Sequence, residues 1–195
     1  MSNNTVNNSI IKAALKTIAT KTISGTRMLL IAEEAGMATS NIHYHFKTKR
    51  DLLLSVLDEI QRRSFERRKV ISESAQPTLR GMLEGFFTSK KNLILHEKEY
   101  DTVQFDFWTQ GIVDTKINAS FQRSYSLWRN DINNVIEKYR PNICSETREY
   151  LARIMVSMMV GASMQYHNSL ELFDLDRYFD VCLDMILMEI DGNNS

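Results

Sequence analysis

Proline and glycine are scarce, with two and seven in 195 residues. So few breakers exclude the many tight turns of a β-sandwich or barrel, and long helices are expected. The two cysteines, Cys144 and Cys182, fall in no CxxC or other ligand spacing. That excludes a disulfide scaffold and a thiolate metal site, and suggests buried thiols in a reducing, cytoplasmic setting. No apolar run is long enough to span a membrane. The most apolar stretch, "IMVSMMVGASM" at 154–164, is flanked by Arg153 and Gln165. "MSNNTVNNS" has neither a basic n-region nor an apolar h-region, so no secretory signal is expected. G-x-S-x-G, HExxH, Walker and Rossmann patterns are also missing. Glu33–Glu34 and Asp58–Glu59 are adjacent pairs that diverge on a helix. No catalytic residue, cofactor or enzymatic activity is therefore expected.

The charge present is uneven. The chain holds 24 Lys+Arg and 24 Asp+Glu, but residues 1–70 carry 12 of the cations and 6 of the acids, a net of +6 against −6 for the rest. A basic N-terminal part on an acidic body suits a polyanionic partner such as DNA.

Helical periodicity organises the chain. In "SIIKAALKTIATK", Ile11, Ala14, Leu15 and Ile18 form one apolar stripe, preceded by residues 1–8, which are expected to fray, and followed by the breaker "TISG". "TRMLLIAEEAG" reads as a second helix with Thr26 as N-cap, Gly36 as stop, and Met28, Ile31, Ala32 and Ala35 inward. Thr39 caps a short third helix whose Ile42 and Phe46 point inward. Thr48 and Asp51 form a capping box opening a long fourth helix. "SESAQP" at 72–77 reads as a linker. Five helices follow, at about 78–95, 100–112, 116–139, 145–169 and 175–190. Their breaks include Leu170–Asp174, and "DGNNS" ends the chain loosely. The expected fold is all-α with about nine helices.

Two short helices joined by a tight glycine turn, behind a scaffold helix, make a helix-turn-helix. With Ile42 and Phe46 inward, Thr39, Ser40, Asn41, His43 and Tyr44 face outward near the end of the helix that meets base edges. Asparagine pairs with adenine through two bonds, and threonine meets a thymine methyl. His43 and His45 do not make a metal site, because side chains two apart on a helix diverge by about 200° and no Cys, Asp or Glu pair lies beside them.

On Thr26, Met28, Ile31, Ala32, Ala35, Gly36, Met37, Ile42, Tyr44, His45, Phe46, Lys49 and Leu52, the first quarter of the chain resembles the TetR family of transcriptional repressors. The resemblance implies a helix-turn-helix DNA-binding domain at 1–50 and a helical ligand-binding and dimerisation domain at 51–195. It implies a homodimer reading a palindromic double-stranded operator, with Thr26, Arg27, Thr39, Ser40, Asn41, His43, Tyr44, His45 and Lys49 as the contact set. Two positions depart from the pattern. His43 stands where such proteins usually carry tyrosine, and Thr22, before Ile23, stands where many carry glycine. Imidazole becomes cationic as pH falls, so His43 is expected to make DNA binding stronger at lower pH.

The remainder is rich in aromatic and methionine side chains. At helical spacing these suit a core, and flexible methionines with tyrosine and tryptophan also suit an adaptable apolar pocket. The resemblance implies a small-molecule effector there, and Phe86, Trp108, Tyr125, Trp128, Met159 and Tyr166 are the expected lining set. The last two long helices are apolar over much of their circumference, which implies burial on two sides, one against a partner subunit. The alternative is a helical small-molecule-binding protein or enzyme whose N-terminal module does not bind DNA.

Overall fold

The computed structural model describes residues 3–169 and 173–192. Among them are nine helices and no strand: α1 Asn3–Gly25, α2 Met28–Ala35, α3 Thr39–His45, α4 Lys49–Ser74, α5 Leu79–His96, α6 Lys98–Gly111, α7 Thr115–Tyr139, α8 Ser145–Asn168 and α9 Leu175–Gly192. None is long and apolar enough to cross a membrane. The chain divides into two compact units, Met1–Ser64 with Lys98–Phe121 and Phe65–Glu97 with Gln122–Ser195. This differs from the 50/51 boundary expected from sequence. The reason is that α6 packs on α1 and so belongs with the N-terminal helices.

In the first unit α1 already begins at Asn3, so residues 3–8 are helical rather than frayed. Tertiary packing overrides the weak propensity of asparagine here, because Ile10 is fully buried. Ile10 also takes the place expected for Ile11 in the apolar stripe, beside Ala14, Leu15 and Ile18. The expected breaker at "TISG" is a kink at Thr22, with φ 60° and ψ 169°. A β-branched residue is strained in that region. The peptide that follows is held from outside α1, with the Asp106 carboxylate of α6 accepting the Ile23 N–H.

The second unit is built around one cluster. Leu83 of α5, Ile132 and Ile136 of α7, Met155 and Met159 of α8 and Ile190 of α9 are fully buried in it. Its edges carry ion pairs between helices, Lys91 with Asp176 and Arg80 with Asp184. α4 continues to Ser74, so the linker expected at 72–77 shrinks to the residues before Thr78. Thr78 caps α5, its hydroxyl accepting the Gly81 N–H at 3.1 Å. A Cβ on Gly81 would lie 2.7 Å from the Gln76 carbonyl oxygen, so this turn requires the glycine. Cys182 is buried as expected, but Cys144 is exposed. Its sulfur serves as N-cap of α8 and accepts the Thr147 N–H at 3.5 Å. Residues 170–172 of the expected Leu170–Asp174 break, and 193–195 of the C-terminal tail, lie outside the described residues.

Thr22→Gly should stabilise the protein by about 1 kcal/mol. Relief of backbone strain, ~1–3 kcal/mol, outweighs the added freedom of the unfolded chain, ~0.4–1 kcal/mol. The Thr22 hydroxyl offsets little of this, because its contacts with Ser24 Oγ (3.0 Å) and the Gly25 N–H (3.5 Å) are exposed. A urea midpoint equal to or below wild type would contradict the strain.

Candidate nucleic-acid interface

Gly36 sets the angle between α2 and α3. It adopts φ 64° and ψ 35°, its N–H donates to the Glu33 carbonyl (3.1 Å), and the Met37 N–H donates to the Ala32 carbonyl (2.9 Å). These two bonds are the Schellman pattern that ends a helix and turns the chain. α3 then runs Thr39–His45 with Ala38, one residue before Thr39, as its N-cap. Ile42 and Phe46 are buried as expected. On the other side Ser40, Asn41, His43 and Tyr44 are exposed, with Thr39 half-buried at the start of the helix. Tyr44 is 72% exposed, so it does not pack inward. The half-buried His45 meets its ring edge-to-face at 5.2 Å, and the Lys47 ammonium lies 5.8 Å from its centroid. The Thr48–Asp51 capping box is formed in both directions: Asp51 Oδ2 accepts the Thr48 N–H and the Thr48 hydroxyl accepts the Asp51 N–H, both at 3.1 Å.

Two members of the expected contact set lie elsewhere. Thr26 is 1% exposed, and its hydroxyl donates to the Thr22 carbonyl at 2.6 Å. It braces the kink, and the exposed Arg27 takes the N-cap position of α2 instead. Lys49 is half-buried, and its ammonium donates to the Ile23 carbonyl at 2.5 Å. Burial holds that ammonium below the ordinary lysine range, with the Asp106 charge pulling the other way. The sequence also gave no sign of how Arg50 is held. Its guanidinium grips Asp114, a residue 64 positions away.

In the second unit, Phe86 and Met159 are buried in the hydrophobic cluster, and Tyr125, Trp128 and Tyr166 pack against it half-buried. Tyr125 and Trp128 stack at 6.4 Å with planes 11° apart. Burial pushes the Tyr125 hydroxyl up from its ordinary value, against the pull of Arg129. Trp108 is not part of this group. It belongs to the first unit and is 56% exposed, because its neighbour Phe107 takes the buried face of α6. A separate groove of about 500 Å³ lies on α8 and α9, lined by Tyr150, Ile154, Met158 and Met185 among others, and by none of those six.

Residues 10–56 match the family model described as bacterial regulatory proteins, tetR family. The head of this chain is thus similar to the tetR family over those residues. No curated protein matches the chain. Solved structures match over nearly all of it. A transcriptional regulator from Saccharomonospora viridis, solved with choline, has TM-score 0.83 at 21% identity, over 94% of this chain and 96% of its own. A TetR regulator from Haloarcula marismortui has TM-score 0.78 at 16% identity, over 97% and 98%. The regulator FadR from Bacillus subtilis, solved with stearoyl-CoA, has TM-score 0.77 at 16% identity, over 92% and 96%. The likeness in fold thus extends beyond the matched residues to the rest of the chain.

Because the Lys49 ammonium braces Ile23, Lys49→Ala should lower stability by about 1–2 kcal/mol, as expected for loss of a charge-assisted hydrogen bond. An unchanged urea midpoint would return Lys49 to the solvent-facing set.

Proposed function

We infer that the protein is a ligand-responsive transcriptional regulator that binds double-stranded DNA as a dimer. The observation that carries this is the polar face of α3. Ser40, Asn41, His43 and Tyr44 stand out together from a helix anchored by Ile42 and Phe46, on a head that matches the tetR family. Asn41 and Ser40, with Thr39 at the helix start, suit base edges. Arg27, His43, Tyr44 and His45 suit phosphates flanking them. Thr26 and Lys49 act from within the head.

The dimer is supported by the outer face of α8 and α9. Ile154 and Met164 on one helix and Val181, Met185 and Met188 on the other are exposed, and the groove between the helices is mostly apolar. Such a face is at home in a four-helix bundle with a second copy. The regulatory step is the release of DNA by a small molecule bound in the body. Structures of this fold solved with choline and with stearoyl-CoA favour that reading, and two ligands so different in chemistry single out no effector. Inverting a mostly bound population takes a differential ligand affinity of ~5 kcal/mol.

Selection of bound duplexes from a random pool tests this directly. The expected product is a site with two-fold symmetry and half-sites about 34–36 Å or more apart, bound with steep salt dependence. A site without symmetry would overturn the dimer, and failure to enrich any duplex would favour a binding protein or enzyme without a DNA role.

A further inference from the structure

The first turn of α4 carries two adjacent cations, Lys49 and Arg50, and carboxylates from the α6 region attend both. Lys49 is tied to the Ile23 carbonyl, while Asp106 of α6 takes the Ile23 N–H. Both backbone polar groups of Ile23, the residue after the kink, are thereby satisfied. Lys49 is half-buried, so drawing it toward solvent would break a bond in the interior of the head.

Arg50 is held differently. Its side chain is 52% exposed, and nothing but the carboxylate of Asp114, just before α7, fixes the guanidinium in the contacts described. Nε donates to Oδ2 and Nη2 to Oδ1, both at 2.9 Å. This two-bond fork is the geometry with which arginine also takes a phosphate. Asp114 is fixed independently of Arg50, because its Oδ1 accepts the Lys116 N–H (2.9 Å) and the Ile117 N–H (3.2 Å). Burial raises the proton affinity of the Asp114 carboxyl. The Ile117 amide, Arg50 and the Lys116 amide outweigh it, so the group stays below its ordinary range and remains an anion. A rigid anion therefore faces a movable, solvent-exposed cation on the segment that follows α3.

We propose that Asp114 is an internal stand-in for a DNA phosphate: it occupies Arg50 in the free protein, and duplex binding draws the guanidinium across to the backbone. This rests on the duplex-binding reading above. Exposed ion pairs contribute little to folding, so exchanging one anion for the other leaves the fold intact, and Asp114 acts on affinity. Lys49 does not take part in the exchange, because its bond is interior.

The test is a four-protein cycle of wild type, Asp114→Asn, Arg50→Ala and the double variant, titrated against a fluorescein-labelled random-sequence duplex over a series of salt concentrations. Random sequence isolates the phosphate contact from base reading. Asparagine caps a helix as well as aspartate does, so Asp114→Asn should melt with wild type. If it does not, Asp114→Ser supplies a second capping residue without the charge. Asp114→Asn is expected to tighten binding about 3–10-fold at an unchanged salt dependence, because the same phosphate is neutralised in both complexes. Arg50→Ala should abolish that gain. A gain of the same size with and without Arg50 would be the simple loss of a negative charge and would overturn the proposal, as would no gain. Wild-type binding with an additive cycle rejects the stand-in alone. No binding by any of the four at low salt rejects the duplex-binding reading with it.

Discussion

Ile42 and Phe46 lie about one helical turn apart, and their burial decides which side of α3 meets solvent. Rotating α3 to hide its polar side would expose both apolar side chains. At roughly 25 cal/mol per Å² of apolar surface, that would cost several kcal/mol. The Schellman turn at Gly36 fixes where α3 starts, and the Thr48–Asp51 box fixes where the chain resumes as α4. The polar face therefore follows from packing and turn chemistry, and its residues are free to be chosen for what they touch.

Around this face the cations are sorted by burial. Lys47 stays outside over the Tyr44 ring, Arg50 is shared with Asp114, and Lys49 is drawn inside to a backbone carbonyl. The basic excess of the N-terminal part thus supplies both an outward field and internal struts. Thr22 links the two roles. A residue in a costly conformation is kept there by Asp106 on the Ile23 N–H, by Lys49 on the Ile23 carbonyl, and by the Thr26 hydroxyl on the Thr22 carbonyl itself.

What could be read in the sequence follows from distance along the chain. The helices from Leu79 onward match the periodicity to within a residue or two at most ends, because stripes, caps and breakers are local. Gly36, Ile42, Phe46 and the Thr48–Asp51 box were legible for the same reason. Thr26 and Lys49 were misplaced because their partners, Thr22 and Ile23, take part in a kink that periodicity cannot resolve. The α6 helix was assigned to the wrong part of the chain, and Trp108 with it, because its packing on α1 is a contact between segments far apart in sequence. Arg50 and Asp114 were missed on the same ground, although Asp114 is recognisable as a helix cap.

The exposed face of α3 is the surface proposed to read base edges. The most direct test is to repeat the random-pool selection with Asn41→Ala and compare base preferences with those of wild type. Loss of one such contact should cost about 1–3 kcal/mol and relax preference at one symmetry-related pair of positions, leaving the remaining positions intact. Preferences identical to wild type, with affinity lowered evenly across all sequences, would place Asn41 on the phosphate backbone and contradict the assignment of α3 as the reading helix.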